Sequence, residues 1–100
     1  MGVIFNIFYN YTMQKYLAEF LATLFFVYVI LTTGNAFAIG LALALVILLT
    51  SKISGGHINP VTSIVMVSKG KLSTNDLIPY IVAQILGGLA AFEIYKKYKL

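Results

Sequence analysis

Cysteine and arginine are both missing from this 100-residue chain, and it carries only three acidic residues and one histidine. Without cysteine there can be no disulfide, no thiolate metal site and no thiol catalysis. One histidine and three carboxylates are too few for a metal site built from the protein alone. No nucleophile–base pair or carboxylate dyad is legible, so neither enzymatic chemistry nor a cofactor is expected. All seven basic residues are lysines. They sit at the ends of apolar runs and form no basic stripe, which argues against a nucleic-acid partner and for lysines that flank a membrane.

What the chain has in abundance is apolar sequence. Hydrophobic residues make up 60% of it, charged residues 10%, and the mean hydropathy is +0.92. A soluble domain carries about 25% charged residues. The composition therefore predicts a multi-pass integral membrane protein with the lipid bilayer as its first partner. The opening "MGVIFNIFYNYT" has neither the basic start nor the small-residue cleavage site of a secretory signal, and Gly2 lacks the Ser or Thr at position 6 of a myristoylation signal. Asn10-Tyr11-Thr12 matches a glycosylation sequon, which matters only on an outside face. Residues 1–14 read as an extension, interfacial or disordered, and residues 15–100 as one transmembrane domain.

Three long apolar runs are expected to span. The first covers Tyr16 to Thr33, and Gly34-Asn35 is a turn signal after it. The second, Ala36 to Ser51, alternates small and large residues at Ala36, Ala38, Gly40, Ala42 and Ala44, a pattern that lets membrane helices approach closely. The third runs from Leu77 to Tyr95, with Ser73 or Asp76 available to cap its start and Pro79 placed in the first turn after Asp76. Ala83, Gly87 and Ala91 give it a small-residue face at four-residue spacing.

Between the second and third runs lies "ISGGHINPVTSIV", Ile53 to Val65. Asn59 followed by Pro60 is a helix start, with Asn at the N-cap and Pro at the first helical position. A helix from there to Ser68 would be only about 15 Å long, half a bilayer. Non-helical backbone at membrane depth must be buried in protein or line a water-filled cavity. Gly55 and Gly56 permit backbone conformations closed to other residues. An extended stretch there turns the carbonyls of Gly55, Gly56, His57 and Ile58 to one side, while the half-helix start offers a positive dipole end and Asn59 offers amide donors. Polar neutral solutes can exchange hydration for such groups, whereas cations meet an electrostatic barrier. The fold class predicted is thus all-α: three transmembrane helices plus one re-entrant half helix.

"SGGHINPV" resembles the first asparagine-proline-alanine loop of the aquaporin and glycerol-facilitator family, the major intrinsic proteins. "AEFLATLFFVY" is similar to that family's first helix and "YIVAQILGGLAA" to its third, in the right order, from Lys15 to Ala91. The resemblance implies a passive channel for water or small neutral solutes such as glycerol. By position, Asn59 would be the pore asparagine, Pro60 and Val61 the start of the half helix, and Gly55 to Ile58 the carbonyl ladder. Glu19 would hold the loop through its backbone N–H groups, Gln84 would pack near it, and Ile39 would occupy the family's aromatic selectivity position. Departures are clear as well. Val61 stands for the motif's alanine, Ala22 for a first-helix glycine, and Ile39 is aliphatic, which implies a wider or less polar constriction.

The family is built as an inverted repeat with two such loops, and this chain matches one half. The expectation is a half-channel that pairs with a second copy in the opposite orientation or with a separate chain. A lysine count of four on one side against three on the other leaves little orientation bias. A truncated channel fragment and a non-conducting or lesion-forming membrane protein are the open alternatives. Plainer readings of single residues also stand beside these: His57 as a loop brace, Glu19 as a charge near Lys15, Gln84 as a helix-to-helix bond, and Glu93 in a surface ion pair with a nearby lysine.

Overall fold

The computed structural model describes residues 11–98, and among them the secondary structure is all helical. Four helices follow in order: α1 Tyr11–Thr33, α2 Ala36–Thr50, α3 Pro60–Ser68 and α4 Thr74–Lys97. Residues 1–10 of the expected extension lie outside the described residues, while Tyr11 to Gln14 belong to α1. Two helices are long and apolar enough to cross a membrane, Met13–Thr33 within α1 and Thr74–Lys97. The 15 residues of α2 reach roughly 22 Å, short of the roughly 30 Å hydrocarbon core, so among the described residues length and composition alone identify two of the three expected spans.

Each helix end has a local cause. Gly34, at φ +55°, closes α1, and the Asn35 side chain caps α2 by accepting from the Ala38 N–H at 2.9 Å. Asn59 caps α3 in the same way, accepting from the Val61 N–H at 2.8 Å, with Pro60 at the first helical position. Ser73, not Asp76, caps α4, its hydroxyl accepting from the Asn75 N–H. That sets the helix start three residues earlier than Leu77 and leaves Pro79 inside the helix, past the first turn. There its missing N–H leaves the Asn75 carbonyl without its helical donor.

α1 packs most extensively on α4, its partner far along the chain, and less on α2, its neighbour in sequence. The reason lies in small residues. A Cβ at Gly87 would come within 2.5 Å of the Phe20 carbonyl oxygen, so α1 and α4 touch backbone to backbone there. Ala83, Gly87 and Ala91 are all buried in that seam. The small residues of α2 behave differently: Ala42 is buried, whereas Ala36, Gly40 and Ala44 are exposed. Its alternation therefore leaves most of the helix open, with Phe37, Leu41, Leu45, Leu48 and Leu49 also exposed. A small apolar core of Ala22, Val46 and Ile58 joins α1 and α2 to the segment before α3, with Phe26 and Leu43 packed against it.

Candidate functional site

Residues 54–59 form an irregular segment whose backbone could not be helical. Gly55 and Gly56 take φ values of +93° and +64°, and Ile58, which carries a Cβ, takes +63°. A side chain there is disfavoured by about 1 kcal/mol or more, so other contacts must hold the segment. Glu19 supplies them. Its Oε2 accepts from the Ser54 hydroxyl at 2.6 Å and from the His57 N–H at 3.1 Å. Its Oε1 accepts from the Ile58 N–H at 2.9 Å and from Gln84 Nε2 at 2.9 Å. Four donors match the lone-pair capacity of one carboxylate, and Glu19 is completely buried. Lys15, one turn away, pairs instead with Asp76 at 2.7 Å.

Gln84 ties three elements together, since its Nε2 also donates to Ser63 Oγ at 3.0 Å. Ser63 lies fully buried on α3, one turn after Asn59. Its Oγ also lies 2.8 Å from His57 Nδ1, a hydrogen bond whose donor is set by the imidazole tautomer. The sequence offered no nucleophile–base pair, yet folding brings this serine and histidine together. Ser63 has no exposed surface and already accepts from Gln84, so the pair braces the loop and has no access to a substrate. The Gln84 Oε1 atom is buried with no partner among the described residues. Turning the amide over would set that oxygen against the Glu19 carboxylate, so the orientation is fixed by repulsion.

Two residues outside the sequence-based candidates complete the frame. The Tyr80 hydroxyl donates to the Ser54 carbonyl at 2.7 Å, and its ring lies 5.1 Å from that of His57. The Thr23 hydroxyl reaches the Ile58 carbonyl at 3.5 Å. Spacing was the legible signal for Tyr80: it stands one turn before Gln84 and so shares its face. Ser63 could have been found the same way, four residues after Asn59. Nothing in the sequence marked Thr23.

The N–H groups of Ser54, Gly56, His57 and Ile58 are engaged within the protein, whereas several carbonyls of the loop are not. Among the described residues, the oxygens of Gly55, Gly56 and His57 meet no hydrogen-bond donor. Asn59 is exposed, and because its Oδ1 accepts from Val61, its Nδ2 is the atom left to donate outward. Hollows flank the loop. One of about 570 Å³ is lined by Ser54, Gly55 and His57 and rimmed by Lys15, Lys69 and Lys71. Another of about 380 Å³ is lined by Ile58, Asn59, Pro60 and Thr23. Val61 is exposed at the start of α3. Ile39, half-buried in the first turn of α2, lies outside this hydrogen-bonded cluster.

In a comparison with known families, the model of the Major intrinsic protein family matches residues 8–99. The chain belongs to the major intrinsic protein family. Among curated major intrinsic proteins it is 39% identical over 95 residues to the glycerol uptake facilitator protein-like 6 of Lactiplantibacillus plantarum, covering 86% of this chain and 44% of that protein. Over 61 residues it is 46% identical to aquaporin Z of Brucella melitensis and 48% identical to aquaporin-8 of Notomys alexis, covering 61% of this chain and 27% and 23% of those proteins. The chain thus spans less than half the length of these relatives. No solved structure matches. Membership makes the chain a multi-pass integral membrane protein, in keeping with its two apolar spans.

Proposed function

We propose that this chain forms one half of a passive pathway for water or small neutral solutes such as glycerol, with no catalytic step. The observation that carries the reading is the division of labour in the loop. Glu19 takes the N–H groups of His57 and Ile58, and the carbonyls of Gly55, Gly56 and His57 are left without protein donors among the described residues. A row of acceptors at membrane depth suits molecules that donate hydrogen bonds. The Asn59 amide and the dipole end of α3 add positive potential at the same level, which opposes cations. In this reading α2 is a third crossing, made short by the turn that leads into the loop. Asn59, Pro60, Val61 and the Gly55–Ile58 backbone line the path, Ile39 sets part of its width, and Glu19 and Gln84 support the loop. The names of the relatives, aquaporins and a glycerol uptake facilitator, agree with this class of solute. One loop supplies one half helix, so the path is completed by a second copy in the opposite orientation or by another chain.

Asn59→Asp tests the reading. The substitution keeps the oxygen that caps Val61 but removes both amide donors and adds a charge. Osmotic shrinkage of reconstituted vesicles, followed by stopped-flow light scattering, is expected to slow roughly tenfold or more, the equivalent of one lost hydrogen bond to the solute. Equal rates in wild type and a well-inserted Asn59→Asp protein would remove Asn59 from the path. Large unselective leakage from wild-type vesicles would favour a lesion-forming protein instead.

A further inference from the structure

Row length is a property of the loop that the reading above leaves open, and two hydroxyls mark its ends. We infer that Tyr80 is a positioning residue that sets where the carbonyl row begins, by withdrawing the Ser54 carbonyl from the path. The inference rests on the channel reading for its consequence in flux, but its geometry stands alone. Tyr80 is 1% exposed, the largest fully buried side chain among the described residues, and its hydroxyl donates to the Ser54 oxygen at 2.7 Å. The next three carbonyls, of Gly55, Gly56 and His57, meet no donor among the described residues. At the far end, Thr23 comes within 3.5 Å of the Ile58 oxygen. The row is bracketed, and the tight bracket is Tyr80.

Tyr80 is itself held from outside the loop. Its ring meets Tyr16 edge to face, with centroids 6.0 Å apart and planes at 86°. The Tyr16 hydroxyl donates to Asp76 Oδ1 at 2.7 Å, and Lys15 pairs with Asp76 Oδ2 at 2.7 Å. Asp76 and Tyr80 are one turn apart on α4, so both ends of α4's first two turns are tied to α1. A phenol fixed in this way cannot follow the Ser54 oxygen if the loop shifts, so it defines the position of that peptide plane. Without the hydroxyl, the Ser54 oxygen becomes a fourth acceptor facing the hollow lined by Ser54, Gly55 and His57.

Tyr80→Phe isolates the effect, because it keeps the ring against His57 and Tyr16. Ser54-Gly55 is the chain's single Ser–Gly peptide, so carbonyl-13C serine combined with 15N glycine gives one unambiguous solid-state NMR signal in liposomes. The Ser54 carbonyl resonance is expected to move upfield in Tyr80→Phe and to stay in place in Tyr16→Phe, which loses only the bond to Asp76. The water-to-glycerol permeability ratio of Tyr80→Phe vesicles is expected to change roughly threefold to tenfold, the scale of one hydrogen bond. An unmoved Ser54 resonance overturns the inference, and so does a moved resonance with an unchanged ratio. If wild-type vesicles prove impermeable, the channel reading fails, while the Ser54 resonance still decides whether Tyr80 holds that carbonyl. Should Tyr80→Phe not insert, a correlation between the Tyr80 hydroxyl proton and the Ser54 carbonyl in the wild type is the deciding measurement, and its absence sinks the proposal.

Discussion

A single carboxylate serves four donors at the centre of this fold, and the consequences of changing it follow from that count. Glu19→Gln replaces one acceptor oxygen with an NH₂ group that must face an N–H or hydroxyl donor. Buried donors left facing a donor cost about 1–3 kcal/mol each, so loss of about 2–3 kcal/mol is expected, read as a lower midpoint in thermal melting followed by circular dichroism in detergent. Glu93→Gln is the contrast. Its partner Lys96 is 3.0 Å away, but both side chains are about half exposed or more, and such pairs contribute about 0–1 kcal/mol. An unchanged midpoint in Glu19→Gln would mean that the loop is held by other contacts. At this scale much was legible in advance. A carboxylate within an apolar run, a lone Gln in another and the string Ser54 to Pro60 all stand out against their surroundings. Ser63 and Tyr80 are marked only by standing one turn from Asn59 and Gln84, and Thr23 by nothing, because hydroxyl residues are common in membrane helices and only the fold decides which polar group each one meets.

Helix pairing is decided by where a backbone can come close. Gly87 admits the Phe20 carbonyl so near that no side chain fits, and Thr23 also lies against it. Gly87→Leu is expected to force α1 and α4 apart and to destabilise the protein by about 1–3 kcal/mol, the usual cost of overpacking. Gly88→Ala, where a new Cβ would meet only Val27 at 3.8 Å, is expected to leave stability within about 0.5 kcal/mol of wild type. Melting curves for the two variants in one detergent check the contrast, and equal midpoints would show that the seam is loose. The four-residue spacing of Ala83, Gly87 and Ala91 made this seam readable from sequence. The small residues of α2 show the limit of the same rule. They share the spacing of a packing face, but only Ala42 is buried, because periodicity identifies a face and says nothing of what covers it. The start of α4 was ambiguous for a similar reason: Ser73 and Asp76 are both cap residues, and Asp76 is drawn away by Lys15 and Tyr16.

As a whole the molecule is a slab, 38 × 38 × 21 Å, with an unusually large share of its long apolar residues exposed. Lipid covers such a surface readily, but it cannot satisfy the outward-facing amide of Asn59, and that is the group the proposed second half would meet. The absence of natural cysteine makes that pairing testable. Val61→Cys, 66% exposed beside Asn59, is expected to give a covalent dimer with a short thiol crosslinker in liposomes, whereas Phe37→Cys, 76% exposed at the start of α2, is not. Mapping both termini in the same vesicles should find two orientations, and a single orientation would exclude antiparallel copies. The half-span nature of α3 was legible from length alone, whereas the dominance of the α1–α4 contact was not, since no local pattern encodes which distant helix arrives. That distance along the chain gives the loop a timetable. During synthesis Glu19 is already in place when Ser54, His57 and Ile58 emerge, but Tyr80 and Gln84 come later. Until they arrive, the loop is held from one side only. A ribosome stalled before α4 would therefore present a loop open to proteolysis, and completion of α4 would be the step that seals it.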